Sequence, residues 1–514
     1  MSTIEINRSR PMSFRRVALL AASSGAIPIA IWLSSDSDKN ATLFAAGVVM
    51  YGIMVACVMI MLRRGTITLV HPLLFATLTY YLPASLGALK LSVSKPQLIY
   101  ASLLPDYNQS LIRAMALSLL GYACLWLGCN VSDTMGVRVR IRRLRDRVWT
   151  ARSVIVPALI LVIVGDICRL EALNVGAIGY SDSVTGAYGD TFFYLGIMAM
   201  MGMCLLCWII FRHSRGIVIR ALATIGVAAH CVFVVVTSGG KGGAVSLYLL
   251  IMLSFYATGR HMKRRGLVLA SVAALVCIVG GTIYGTEFRH LMRREHQASL
   301  SEYQGLSAGA LAQVSTEEMA TSLGNGLQGA LDRLDQMSSL AVIIERHKEL
   351  RDAEAVYGIK NNIVNDTVTS IIPRFVWQEK PLVSDARSLT LLYFDVRGNS
   401  LAISFVGDLL RNGGIVGVCI GMIVLGAALT YGYIRLVVRT SSEWARVTYC
   451  VLLWSINFEG FYSVIFPTLV RCGVVCIIAG LFVNWFAPQM RGMGAGTIGV
   501  AVQRRQARSS ATLT

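Results

Sequence analysis

Apolar runs long enough to cross a bilayer recur along most of this chain, and they restrict what it can fold into. A helix needs roughly 18–20 such residues to span the hydrocarbon core. With no water there, each backbone polar group must be satisfied within the span, so helices are expected. About twelve runs are readable, at 17–33, 41–62, 67–89, 109–128, 153–170, 191–211, 217–236, 243–259, 267–285, 413–437, 446–460 and 465–487. The last two are interrupted by Asn457-Phe-Glu-Gly460 and by Pro467. Of the 514 residues, 55% are hydrophobic and only 15% charged, more apolar surface than a soluble domain of this length can hide.

The formal net charge of +19 invites a nucleic-acid reading, and its distribution removes it. The excess lies in short links such as Arg138 to Arg152, Arg260 to Arg265 and Gln503 to Arg508. That is the pattern of positive loops retained in the cytoplasm. Placing those links inside makes the sides alternate without conflict and puts both termini in the cytoplasm. The other face then receives Ser34–Asn40, Leu91–Asn108, Leu170–Asp190, Ser238–Gly242 and one long loop. Arg8, Arg10, Arg15 and Arg16 before the first run fit an uncleaved anchor. Most of the twelve cysteines fall inside apolar runs, and the long loop has none. Cys204-Leu-Leu-Cys207 has CxxC spacing but no His or acidic partner in its span, so it reads as packing.

Links between spans are usually short, so a loop covering 286–399 is where function is expected. It carries twelve Lys/Arg against fifteen Asp/Glu, so it is no basic arm. Leu311 to Leu350 has helical periodicity, with Leu327, Leu331, Leu334 and Met337 three or four apart, and Ser315 with Glu318 has capping-box spacing. Pro373 and Pro381 break the rest of the loop into irregular chain. A small helical subdomain lying on the membrane face is expected. The chain thus divides into nine spans over 1–285, the loop over 286–412, three spans over 413–488 and a basic tail over 489–514.

Several groups of residues suit chemistry. Arg289 and Arg293 share a helix face just after the ninth span, with His290 and Arg294 beside them. They suit an anion, or else an interfacial helix whose arginines snorkel. Val236-Thr-Ser-Gly-Gly-Lys-Gly-Gly243 lacks the GxxxxGK[ST] spacing of a phosphate loop. Its glycines still let backbone N–H groups and Lys241 approach a ligand, or simply make a tight turn. Arg374 and Lys380 bracket Trp377, and Arg387 lies six residues past Pro381. Asp408, flanked by Gly407 and Gly413-Gly414, has Arg411 and Asn412 one turn on. Asp166 with Arg169, and Glu459 with Arg471, are ionisable residues in or beside spans, functional or structurally paired. His230, alone in its span, reads as a packed histidine. Asp36-Ser-Asp38 is an acidic pair of the kind metal-dependent membrane glycosyltransferases carry. Its loop is only about seven residues, so a polar turn is favoured. No other His/Cys/Asp cluster has metal spacing.

The order of these parts resembles the Wzy-type O-antigen and exopolysaccharide repeat-unit polymerases. Four pieces match: the Gly-rich basic turn around Lys241, Arg289 at the start of a large loop, the Pro373-Arg-x-x-Trp-x-x-Lys-Pro381 segment, and Ser404-x-x-Gly-Asp-x-x-x-Asn-x-Gly414. The interval from Arg387 to Gly398 is also similar to the Arg-x10-Gly spacing of such loops. The likeness covers architecture from about Ile217 to Pro488, while the first two hundred residues match only as spans. Lys241 stands where Arg is commoner, and Asp408 where Glu is commoner. Lys offers a point charge, not a bidentate fork.

The resemblance implies an all-α polytopic protein of the bacterial inner membrane, GT-C-like, with about twelve transmembrane helices and one large helical periplasmic loop. It implies a reaction: a glycan on undecaprenyl pyrophosphate moves onto the outer sugar of another lipid-linked repeat. Such a transfer needs cations at the leaving pyrophosphate and a base at the acceptor hydroxyl. On this reading Arg289, Arg387 and Lys241 hold pyrophosphate, with Arg374 in reserve. Asp408 is the base, Arg293 or Arg411 binds glycan, and Lys380 and Asn412 complete the substrate contacts. No cofactor, nucleotide or metal is implied. The partners are the lipid-linked glycan, membrane lipids and a chain-length-regulating membrane protein. An O-antigen ligase would use a loop histidine, for which His290, His296 and His347 are available. A polysaccharide transporter or flippase would instead show repeated halves and broken charged spans at the midplane.

Overall fold

The computed structural model describes residues 14–33, 39–64, 70–94, 97–138, 149–175, 189–213, 216–238, 241–260, 262, 264–292, 305–306, 308–309, 334–370, 372, 377, 386–397, 401–440 and 442–486. Among these residues there is no strand. The first ten helices are α1 (Phe14–Leu33), α2 (Ala41–Arg64), α3 (Pro72–Leu91), α4 (Leu98–Leu103), α5 (Tyr107–Arg138), α6 (Ala151–Asn174), α7 (Thr191–Arg212), α8 (Ile217–Ser238), α9 (Lys241–Ala257) and α10 (Arg264–Met292). The long loop contributes α11 (Met337–Arg346), α12 (Ala353–Val356), α13 (Asn362–Ser370) and α14 (Ala386–Phe394). The chain closes with α15 (Ser404–Tyr433), α16 (Glu443–Trp454) and α17 (Ile465–Phe486). Nine helices among the described residues are long and apolar enough to cross a membrane: α2, α3, α5, α6, α7, α8, α10, α15 and α17. The protein is therefore a helical, multi-pass membrane protein. The other three apolar runs fall on α1, α9 and α16, of which α9 and α16 are short, at 17 and 12 residues.

Membrane-length helices that follow one another in the chain alternate in direction. At the end that bears the long loop, Asn40 N–H donates to Ser92 O (3.0 Å) and Tyr284 O–H to Val236 O (3.3 Å). At the opposite end, Tyr449 O–H donates to Val70 O (2.9 Å) and Trp208 Nε1 to Glu443 (3.0 Å). Side chains start several helices by taking orphan N–H groups. Asn40 caps α2, His71 caps α3, and Thr150 with Ser153 forms a reciprocal box at α6. Within α3, Pro83 has no N–H to offer the preceding turn, and Thr77–Tyr81 widens into a π turn just before it. Large apolar side chains on α8 and α10 face outward, such as Ile217 (83% exposed) and Leu269 (70%), as lipid contact requires. α3, by contrast, sits in the centre.

Three features depart from the expected layout. First, α15 begins at Ser404, not near 413, and it is a hairpin. Gly414 adopts φ 63° and ψ −159°, and the chain reverses there. Gly417 abuts the Leu409 carbonyl, Gly421 abuts the Leu409 side chain, and Gly121 of α5 meets both Val406 and Met422. In an unbroken helix Leu409 and Gly421 would be roughly 18 Å apart. Residues 404–413 therefore form a short arm folded back on the long arm that follows. The long arm crosses α5 closely, with Gly426 against the Leu125 carbonyl and Gly128 against that of Ile423.

Second, α16 stops after 12 residues, about 18 Å of helix. The non-helical strip after it, 455–461, lies inside the bundle. Irregular backbone at such depth is tolerated only where protein or an aqueous cavity satisfies it. Third, α11 does not lie on the membrane face. Met337, Leu340, Ala341, Val342 and Ile343 are fully buried within the bundle. Ser338 and Ser339 bond the hydroxyls of Tyr107 and Tyr100 (both 3.2 Å), and Glu345 bonds Ser110 and Arg113 (2.9 Å). These pairings remove the cost of inserting the polar positions of this turn. The periodic stretch before Met337, with the Ser315–Glu318 box, lies outside the described residues.

Gly414 occupies a conformation essentially closed to other residues, worth about 1–3 kcal/mol of strain to any that replaces it. Gly414→Ala is expected to lower the melting temperature of the detergent-solubilised protein. Gly432→Ala, on the same helix with open space around its Cα and no positive φ, is expected to leave it unchanged or slightly raised.

Candidate functional site

The short arm of α15 carries Asp408, Arg411 and Asn412 on one face, since residues three and four apart stack on a helix. That face meets the loop helices α12 and α13. The Arg411 guanidinium donates from Nη1 to Glu354 Oε1 and to Ile359 O, and from Nη2 to Asp408 Oδ1, each at 2.9 Å. All three charged side chains are 3% exposed or less. The two carboxylates accept from further donors. Tyr393 O–H donates to Glu354 Oε1 (2.7 Å), and burial followed by the nearby Glu354 pushes that phenol well above its ordinary range. Asp408 Oδ1 also accepts from Asn362 Nδ2 and Asn412 Nδ2 (3.2 Å each). Asp408 Oδ2 accepts the backbone N–H of Ser463 (3.0 Å), whose hydroxyl meets Asn362 Nδ2 (3.1 Å). Asn412 Nδ2 in turn reaches Asn362 Oδ1 at 2.7 Å.

This cluster acts as a clamp. It ties the long loop, through Glu354, Ile359 and Asn362, to the strip between α16 and α17, through Ser463. Ser404 and Phe405 add two backbone bonds to the same strip, donating to the carbonyls of Glu459 (3.0 Å) and Phe458 (3.4 Å). Asp408 is 0% exposed, with donors on both oxygens. A general base must offer a lone pair to a substrate proton. The geometry gives Asp408 a holding role in place of the base role expected of it. Arg411 is likewise buried, and the half-buried Asn412 turns its amide into the same cluster.

Beside the clamped strip lies a cavity of about 570 Å³. Its polar lining includes Arg169, Asn457, Glu459, Ser246 and Ser455; Phe75, Met200, Leu249 and Trp454 line apolar parts of it. Arg169 projects from the loop end of α6, where its Nε donates to Thr237 Oγ1 (2.9 Å) on α8. Gly242, in the first turn of α9, also lines it, so the Gly-rich turn borders the cavity. Phe75, Thr79 and Leu249 are shared with a second, apolar groove of about 240 Å³. That groove runs between α3, α9 and α10 past Leu78, Tyr248, Leu253, Tyr256 and Leu267. Thr79 belongs to the π turn of α3, a deviation that often marks function.

The other expected residues are scattered. Lys241 heads α9, one residue before the cavity-lining Gly242, and Arg289 lies in the last turn of α10; their side chains fall outside the described residues. Arg293, Arg374 and Lys380 also lie outside them. Arg387 is exposed on α14. His347 closes α11, its Nδ1 near the carbonyls of Ile343 and Ile344 (3.1 and 3.0 Å). His230 is not an isolated packing residue: its Nδ1 bonds Asp166 of α6 at 2.9 Å. Arg471 stacks over the ring of cavity-lining Tyr194 (4.7 Å). Glu354, Asn362 and Ser463 carried no signal in the sequence, because each joins the cluster only through the fold. Among the described residues no group of three His, Cys, Asp or Glu is placed to hold a metal ion. The chain matches no protein-family model, no curated protein and no solved structure.

Removing the cation from a buried, paired cluster leaves uncompensated charge, typically about 3–5 kcal/mol. Arg411→Met is expected to lower thermal stability in detergent by that order. Adding Glu354→Gln is expected to restore part of the loss, because one stranded carboxylate is then neutral. A double variant whose losses simply add would argue against coupling.

Proposed function

We propose that this chain polymerises undecaprenyl-pyrophosphate-linked oligosaccharide repeat units into O-antigen or exopolysaccharide at the periplasmic face of the bacterial inner membrane. The observation that carries the reading is the amphipathic shape of the cavity. Arg169, Glu459, Asn457, Ser246 and Ser455 line it, and it continues at Phe75, Thr79 and Leu249 into the apolar groove. A substrate with a long hydrocarbon tail, an anionic joint and a sugar head needs those three environments in that order. The order of motifs from the Gly-rich turn to the Asp408 arm supports the same family.

Orientation follows from charge. Arg63, Arg212, Arg260, Arg265, Arg435 and Arg439 all lie at the end away from the loop. The positive-inside rule assigns that end to the cytoplasm, so the long loop is periplasmic and both termini are cytoplasmic. The twelve helices that alternate in direction then act as twelve spans in a GT-C-like arrangement, with α9 and α16 shortened beside the cavity. Arg169 is the cation placed to meet negative charge growing on the leaving pyrophosphate. Lys241 and Arg289, at the loop ends of α9 and α10, complete that role with Arg387 of α14.

Purified protein incubated with its lipid-linked repeat unit is expected to produce a ladder of lengthening glycans. Arg169→Gln is expected to slow ladder growth by on the order of 100-fold, the usual cost of losing one donor to developing charge. A correctly folded protein that leaves the cognate repeat unit unextended would overturn the assignment.

A further inference from the structure

We infer that Glu459 is the general base of the transfer, an assignment that rests on the polymerase reading above. Glu459 is the one acidic residue among the described residues lining the cavity, where Arg169 is the one basic residue. It is half-buried. Asp408, Glu354 and Asp166, the other acids of this region, do not border the cavity.

Its position is set by tertiary contacts, because no helix carries it. Glu459 N–H donates to Asn457 Oδ1 (3.2 Å), Gly460 N–H to Asn457 O (3.0 Å), and Glu459 O accepts from Ser404 N–H (3.0 Å). Four residues on, Ser463 is fixed by Asp408. Ser404 itself is held at φ 62°, a conformation a serine rarely adopts, so the surrounding fold over-determines this junction. The backbone on both sides of Glu459 is therefore pinned, and the residue borders the cavity. That is the arrangement a positioned base requires.

In the transfer, the acceptor sugar's hydroxyl oxygen bonds to the donor's anomeric carbon, and its proton passes to the Glu459 carboxylate. The bond from that carbon to the pyrophosphate oxygen breaks, and the electron pair leaves on undecaprenyl pyrophosphate near Arg169. Protonated Glu459 then returns its proton to water.

The test compares ladder growth by wild-type protein and Glu459→Gln, with labelled lipid-linked repeat unit as substrate and as binding probe. The expected result is a rate at saturating substrate at least about 100-fold lower, the usual worth of a general base, with binding of the repeat unit retained. The wild-type rate is expected to rise with pH through one ionisation, and Glu459→Gln to lose that limb. A wild-type ladder that Glu459→Gln matches in rate overturns the Glu459 assignment and leaves the polymerase reading standing. A folded wild-type protein that makes no ladder overturns the polymerase reading itself. Should Glu459→Gln melt well below the wild type, Glu459→Asp replaces it. An acidic limb displaced along the pH axis then supports the base role, and an unmoved limb overturns it.

Discussion

Arg411 is a cation in a place with almost no water to hydrate it, and much of the loop's attachment depends on how it is satisfied. Stripping a guanidinium and two carboxylates of solvent costs several kcal/mol per ion, and only near-ideal geometry offsets it. Here the planar fork reaches two carboxylates and a backbone carbonyl at 2.9 Å each. Two negative charges against one positive leave an excess, which Tyr393, Asn362, Asn412 and the Ser463 N–H solvate. A lysine has no such fork and reaches fewer of these acceptors at once. Such a cluster contributes less to net stability than its number of bonds suggests. Its value lies in excluding alternatives, because any other docking of the loop would strand a buried charge. We therefore regard it as the device that fixes the loop's register on the bundle.

That register matters because the cavity is built from several separate elements. Arg169 comes from α6, Gly242 from α9, and Asn457 and Glu459 from a strip with no helix of its own. The clamp sets the strip; Thr237 and Arg169 join α8 to α6; and Trp454 Nε1, donating to Ser246 O (2.9 Å), joins α16 to α9. Each tie is polar and directional. Apolar helices in lipid slide and rotate at little cost, since tails and side chains are equally apolar. Directional bonds at the loop end are what can hold an Arg and a Glu in one cavity wall.

The sequence was most legible where one residue type acts alone. Apolar runs announced the helices, and the spacing of Asp408, Arg411 and Asn412 announced a shared face. Their partners Glu354 and Asn362 lie 57 and 46 residues away in the chain, with no local pattern to mark them. The hairpin escaped notice for a different reason. The span reads as starting near 413, which leaves the short arm in the loop, and only the backbone at Gly414 reveals the reversal. For α11, the same apolar stripe fits a helix lying on a membrane and one inserted beside Tyr100 and Tyr107. Periodicity cannot separate the two. Glu459 was legible with Arg471 as an ionisable residue at an interrupted run, but its place on the same cavity as Arg169 was not, because that depends on α16 ending early.

The early end of α16 and the early start of α15 answer each other. A helix leaves its last carbonyls and its first N–H groups without partners. Past Trp454 the chain exposes carbonyls inside the bundle, and at Ser404 a new helix begins with unpaired donors close by. Ser404 and Phe405 donate to the carbonyls of Glu459 and Phe458, so each irregularity satisfies the other. Neither is tolerable alone at this depth, where an unmet backbone group costs several kcal/mol. The arm of α15 from Ser404 to Gly413 is thus best understood as the filler that permits a span to break. The break in turn lets backbone and a carboxylate border a cavity deep within an apolar bundle. A continuous α16 would place only the side chains of a helix face there.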